Sequence, residues 1–247
     1  MADLRNYQAR AGSASSRADT YIDQGLRAYM IRVYNLMAVG LVITGLAAWG
    51  AFDFAVSNGQ LTPFGHLIFQ TAFRWVVIFA PLALVFFLSF RIGSMSVSAA
   101  QTTFWVYAAL VGLSLSVLFL VYTQTSIVRT FFITAAAFGA LSLYGYTTKR
   151  DLSGMGSFLI MGVFGIIIAS IVNIFLVSSA LQFAISVIGV LVFAGLTAFD
   201  TQQIKEMYYE GDAEVVAGRK AIMGALRLYL DFINLFMFLL QFMGDRR

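Results

Sequence analysis

The sequence predicts an all-α integral membrane protein with seven transmembrane helices. Three observations predict it. Hydrophobic residues fill 60% of the 247 positions and charged residues only 11%, against about a quarter charged in a soluble domain. Seven segments approach the ~20 largely apolar residues that cross ~30 Å of hydrocarbon. Lysine and arginine gather on one side of those segments, as membrane orientation requires.

The elements follow in chain order. Residues 1–27 are polar and rich in Ala, Ser, Arg and Asp, without the apolar run of a cleaved signal peptide. They read as a cytoplasmic tail, mostly disordered. Aromatic and apolar residues return from Thr20, a lead-in to a membrane domain at 28–247. Its spans are expected at 28–51, 69–91, 103–123, 128–146, 156–177, 181–208 and 221–243. The second carries Arg74 near its start and Pro81 in its middle, so a kink is expected there. Gly40, Gly45, Gly156, Gly162, Gly165, Gly189 and Gly195 recur along spans 1, 5 and 6, where small residues let helix backbones approach.

Orientation follows from the basic residues. Arg5, Arg10, Arg17, Arg27, Arg91, Lys149, Arg150, Lys205, Arg219 and Lys220 fall on the side of the N-terminus. Arg129, Arg246 and Arg247 fall on the other, with Arg74 if it counts. The N-terminus is therefore expected in the cytoplasm and the C-terminus outside. The net charge of +4 reflects this asymmetry, and nucleic acid is not an expected partner. The lipid bilayer is. Cysteine is absent, and the single histidine, His66, sits in a loop with nothing around it to build a metal site. No cofactor or resident metal is expected.

Two aspartates stand where the bilayer makes them costly. Asp200 closes the run VIGVLVFAGLTAF, and Asp231 interrupts LYLDFINLFMFLL. A charge at the centre of a membrane helix costs about 2.5–3.5 kcal/mol on insertion scales, so such residues usually face the protein interior or a water-filled path. At 1.5 Å per residue, Asp200 lies roughly 28 Å from the start of span 6, and Asp231 about 18 Å from the end of span 7. Both then occupy the cytoplasmic half of consecutive antiparallel helices. Contact between them is plausible from this geometry and would make them resist double ionisation. Arg91, at the end of span 2, and Arg227, one turn before Asp231, are the candidate countercharges. The plainer alternative is that each aspartate is a structural polar contact, with Asp231 paired to Arg227.

The stretches VFAGLTAFDTQQIKEMYYE (192–210) and ALRLYLDFINLFMFLL (225–240) resemble the Bax-inhibitor-1 family, also called the transmembrane Bax-inhibitor-motif family. TKRDLSGMGSFLIMGVFGIIIASIVNIF (148–175) resembles it too, and QGLRAYMIRVYNLMAVGLVITG (24–45) looks like its bacterial members. The resemblance implies a seven-helix fold with the last helix central and surrounded by the other six. It implies a pH-sensitive calcium leak, with Asp200 and Asp231 as the sensing pair and Arg91 as a latch on its closed state. It also implies a bacterial inner membrane location. Some members carry an acidic residue within helix 2; PLALVFFLSF has none. Calcium or another cation would be the transported ion, with two carboxylates forming only a transient oxygen site.

Enzymatic activity is not expected. Asp231 sits in YLDF rather than the G-x-G-D of intramembrane aspartyl proteases, and GMGS at 154–157 reverses the rhomboid order. No span interior contains a lysine for a retinal Schiff base. The alternative is a membrane-embedded regulator that binds a membrane protease or another partner, a role that the polar tail could carry without an ion path.

Overall fold

A computed structural model describes residues 24–247 in full. The first helix, α1, is assigned as Ala2–Ala55, and its membrane-length part is Gln24–Ala55. The expected disordered tail lies outside the described residues except at 24–27, which are helical.

The chain is a bundle of seven long apolar helices joined by short connections. After α1, a two-residue hairpin pairs β1 (Val56–Ser57) with β2 (Gln60–Leu61). Its turn residues, Asn58 and Gly59, have φ of 51° and 77°, the left-handed pair that an Asn-Gly hairpin turn adopts. A short helix α2 (Pro63–Phe69) follows, with Thr62 capping the Gly65 N–H at 3.1 Å and Pro63 in the first turn. The second span therefore starts at Phe73 rather than 69. It runs as α3 (Phe73–Arg91) without a break through Pro81 and continues into the 3-10 turn Ile92–Ser94. Arg74 stands 5.0 Å over the Trp75 ring at its entrance.

The third span is α4 (Val97–Leu115) plus the short α5 (Leu118–Val121). The remaining spans are α6 (Gln124–Thr147), α7 (Ser153–Leu176), α8 (Ser179–Glu206) and α9 (Glu214–Met243). The last helix thus begins seven residues before its expected start at 221. Its extra turns carry Arg219 and Lys220 to the bundle edge.

α9 holds the largest set of buried residues among the described spans, including Leu228, Tyr229, Asp231 and Phe232. It packs against α8, α1, α6 and α4. α3 packs chiefly on α4, and α7 on α8. Four helices therefore make the main wall around α9, where the family resemblance implied six. The other two face lipid: α7 exposes Phe158, Ile168, Ile174 and Phe175, as a helix in an apolar solvent can without cost.

Small residues set the closest helix crossings. A Cβ on Gly112 of α4 would strike the Thr44 backbone of α1, and one on Gly145 of α6 the Ala198 backbone of α8. Gly40, Gly156, Gly162, Gly189 and Gly195 also pack against neighbours, but Gly45 and Gly165 face open space. For those two the packing expectation fails, because helical spacing alone does not say which face meets another helix.

The connections sort into two ends. Tyr122 bridges Arg246, Asp245 O accepts from Thr123 N at 3.1 Å, and Arg247 N donates to Val121 O at 2.9 Å. The C-terminus is thereby pinned beside the α5–α6 junction. At the other end Arg219 reaches from α9 to the turn after α3, donating from Nε to Met95 O and from Nη1 to Gly93 O, both at 2.7 Å.

Candidate functional site

The D-T-Q-x-I stretch of α8 is held in place by its own polar residues. Thr201 donates to Thr197 O within the helix and reaches Ser142 of α6 at 3.2 Å. Gln202 Oε1 accepts from Leu152 N at 2.8 Å, and its Nε2 donates to Arg150 O at 2.9 Å. The single side chain of Gln202 thus satisfies the backbone of the α6–α7 connection, which no helix ladder reaches. Ile204 is fully buried and packs on Gly224 of α9. These contacts fix the rotation of α8 and turn Asp200 inward.

The matching stretch of α9 is fixed by Tyr229. Its ring is fully buried and meets Phe104 and Tyr107 of α4 edge-on, at centroid distances of 5.7 and 5.6 Å. Its hydroxyl lies 2.6 Å from Thr44 Oγ1 of α1, which also lies 2.9 Å from Ala108 O of α4. Three helices therefore position the turn that carries Asp231.

The result is that Asp200 and Asp231 meet. Their carboxyls lie within interaction range of each other where α8 packs on α9. Asp231 is 4% exposed and its Oδ2 meets no donor among the described residues, while Asp200 is half-buried. Ionised carboxylates only accept hydrogen bonds, so a bond between the two would need a proton on one of them.

Arg227 is the cation whose charge reaches both carboxyls. It does so from an exposed position and without closing an ion pair: among the described residues the salt bridge found is Lys220–Asp212, on the α8–α9 connection. The simple Asp231–Arg227 pair is therefore not formed. Nor does the structure bring Arg91 to the aspartates. It is exposed at the end of α3, and in this conformation the tie between that end and α9 is made by Arg219. The expectation for Arg91 rested on position in a less similar segment, and side-chain direction at a helix end is not set by position.

Other features were not visible in the motifs. Tyr29 of α1 is buried with an unpartnered hydroxyl, within range of the charges of Arg227 and Asp212, and its ring lies 5.6 Å from that of Tyr208. Gln182, Gln241, Ser186 and Asn173 form a hydrogen-bonded amide and hydroxyl layer between α7, α8 and α9, with Gln182 Nε2 donating to Gln241 Oε1 at 2.8 Å. The signal for that layer was present as polar residues in apolar spans. His66 bonds Gln70 at 2.7 Å on exposed α2. Among the described residues no three His, Asp or Glu side chains gather as a metal site would require.

Comparison with known proteins places the whole arrangement. Residues 26–247 match the family model described as inhibitor of apoptosis-promoting Bax1. A Rickettsia prowazekii protein is 53% identical over 237 residues, covering 95% of this chain and 96% of its own length. A Caulobacter vibrioides protein is 47% identical over 251 residues and the full length of both chains. The Escherichia coli inner membrane protein YbhL is 47% identical over 235 residues, covering 94% of this chain and 98% of its own. The chain is thus a multi-pass membrane protein that belongs to the Bax inhibitor-1 family.

Proposed function

We propose that this protein is a passive, non-enzymatic calcium leak of a bacterial inner membrane, with the Asp200/Asp231 pair as its proton sensor. The observation that carries this reading is the juxtaposition of two carboxyls on α8 and α9 inside the bundle, within each other's electrostatic reach, one of them with an unpartnered buried oxygen. A shared proton lets the carboxyls bond; two charges at that spacing repel. Proton occupancy therefore changes both the packing of α8 on α9 and the negative charge available to a cation. Calcium prefers oxygen ligands, and two carboxylates without further ligands hold it weakly enough to release it. The absence of a carboxylate in α3 leaves the pair as the main acidic feature of the path. The N-terminus would lie in the cytoplasm and the C-terminus outside, as the basic residues indicate.

Gating in this reading involves α3. Arg219 clips the turn after α3 to α9, and Arg91 would serve as the latch only after that end rearranges. The test is calcium entry into dye-loaded liposomes. Asp200→Asn with Asp231→Asn should abolish the pH dependence of flux; flux and pH dependence both unchanged would sink the mechanism.

The family description as an inhibitor supports a second reading, in which the protein binds and modulates a membrane protease or another partner. Deleting residues 2–19 separates the two. Loss of a cellular effect with liposome flux intact favours binding.

A further inference from the structure

α1 and α6 both lie against α9 but pack little on each other. The seam between them opens toward the bilayer as two clefts. The one on the N-terminal side has a volume of about 550 Å³, within the ~300–1,000 Å³ typical of small-molecule sites. Its lining changes character with depth. Arg27 and Tyr146 stand near the ends of their spans, Tyr34 lies two turns along α1 from Arg27, and Met37, Phe138 and Gly139 line the part further along. Lys205, outside the lining itself, is a second cation beside Tyr146: its Nζ lies 5.4 Å over the Tyr146 ring and donates to Tyr146 O at 2.9 Å. Lys149 and Arg150 are exposed on the connection that follows. Glu206, at the same end of α8, is already engaged by Gln203 Nε2 at 3.1 Å.

We propose that this cleft binds one anionic phospholipid from the leaflet on the N-terminal side. The phosphate sits at Arg27 and Lys205, and an acyl chain runs inward along Met37 and Phe138. Three features point to this occupant. The cations lie at the ends of the spans, Arg27 near the start of Gln24–Ala55 and Lys205 near the end of Ser179–Glu206, and the apolar wall lies further along α1 and α6. Arginine offers paired donors matched to phosphate oxygens. Gly139 leaves the space beside α6 open, since a Cβ there would meet nothing within 4 Å. The cleft on the opposite half, about 560 Å³, has no charged residue in its lining and serves as an internal comparison. The proposal does not depend on ion conduction.

The test is native mass spectrometry of the full chain in detergent, with dioleoylphosphatidylglycerol and dioleoylphosphatidylcholine in competition. The wild type should retain the anionic lipid about fivefold or more in preference, the worth of one basic side chain near the membrane surface. Arg27→Gln, at an exposed position, should bring the two lipids to near parity. Gly139→Phe should lose one retained lipid, whereas Gly165→Phe, at an equally open site on α7, should not. Equal retention of both lipids by the wild type would overturn the proposal, as would an unchanged preference in Arg27→Gln. Should Gly139→Phe fail to fold, the Arg27→Gln comparison decides alone.

Discussion

At the residue scale the chemistry is concentrated in a few polar side chains inside an apolar bundle, and each has a distinct task. Asp200 and Asp231 can hydrogen-bond only while a proton is shared, so their replacement by asparagine is the direct test of a proton-dependent function. Gln202 instead holds backbone. Gln202→Ala leaves the buried Leu152 N–H without its acceptor, a loss of about 1–3 kcal/mol for an unsatisfied buried group. The expected readout is a lower thermal midpoint in detergent with faster amide exchange over 148–153; unchanged exchange there would remove Gln202 from that role. Asp151 lies outside the spans and accepts from Ser153 N at 2.8 Å at the start of α7. That backbone bond, with a side-chain bond to the same residue, holds its carboxyl below the usual carboxylate range. Because the folded form favours ionisation, its contribution is present above the ordinary carboxylate pKa and is lost as pH falls through the lowered value. Exchange in the first turn of α7 should therefore quicken on strong acidification in the wild type, and Asp151→Asn should flatten that response. The two aspartates were legible in the sequence because a charge in an apolar run is conspicuous. Tyr229 and Gln202 were not, since a tyrosine or glutamine in a motif does not announce its partner.

At the element scale, helix ends matter more than helix interiors. The turn after α3 is clipped to α9 by two donors from one guanidinium, and the C-terminal segment is fastened beside Tyr122. Arg219→Gln removes the clip. It should loosen residues 92–95, seen as faster exchange or broader spin-label distances to α9, and under the leak reading it should raise calcium flux at fixed pH. Unchanged mobility of that turn would show that α3 is held by its packing on α4 instead. The apolar lengths were readable because hydrophobic thickness sets them. The boundaries moved where local chemistry intervened: Pro63 behind the Thr62 cap makes a separate α2, and the Asn58-Gly59 turn makes a hairpin. Both signals stand in the sequence, but a span-length scan passes over them.

At the scale of the whole molecule, an odd number of spans puts the two termini on opposite sides, and contacts among the connections group them accordingly. The chain has no cysteine, so single cysteines report sidedness cleanly. Ser57→Cys, in the α1–α3 connection, should react with a membrane-impermeant maleimide added to intact cells, and Lys149→Cys should react only after permeabilisation. The reverse pattern would invert the orientation and place the aspartate pair in the outer half. The arrangement around α9 is also decided at this scale. α9 carries polar residues on an otherwise apolar helix and is enclosed by α1, α4, α6 and α8, whereas α7 exposes a predominantly apolar face, with Phe158, Ile168, Ile174 and Phe175 on it, and remains at the lipid boundary.

The sequence by itself determined the membrane class, the number of spans, the family and the two aspartates, because hydropathy, span length and the cost of buried charge act on local stretches of chain. Tertiary structure alone decided that the aspartates come together, that Arg227 rather than Arg91 is the nearby cation, and that Arg219 ties α3 to α9. Those outcomes depend on the rotation of each helix about its axis and on side-chain direction at helix ends. In the bilayer, where apolar faces are nearly interchangeable, close packing at small residues and a few interhelical hydrogen bonds set that rotation.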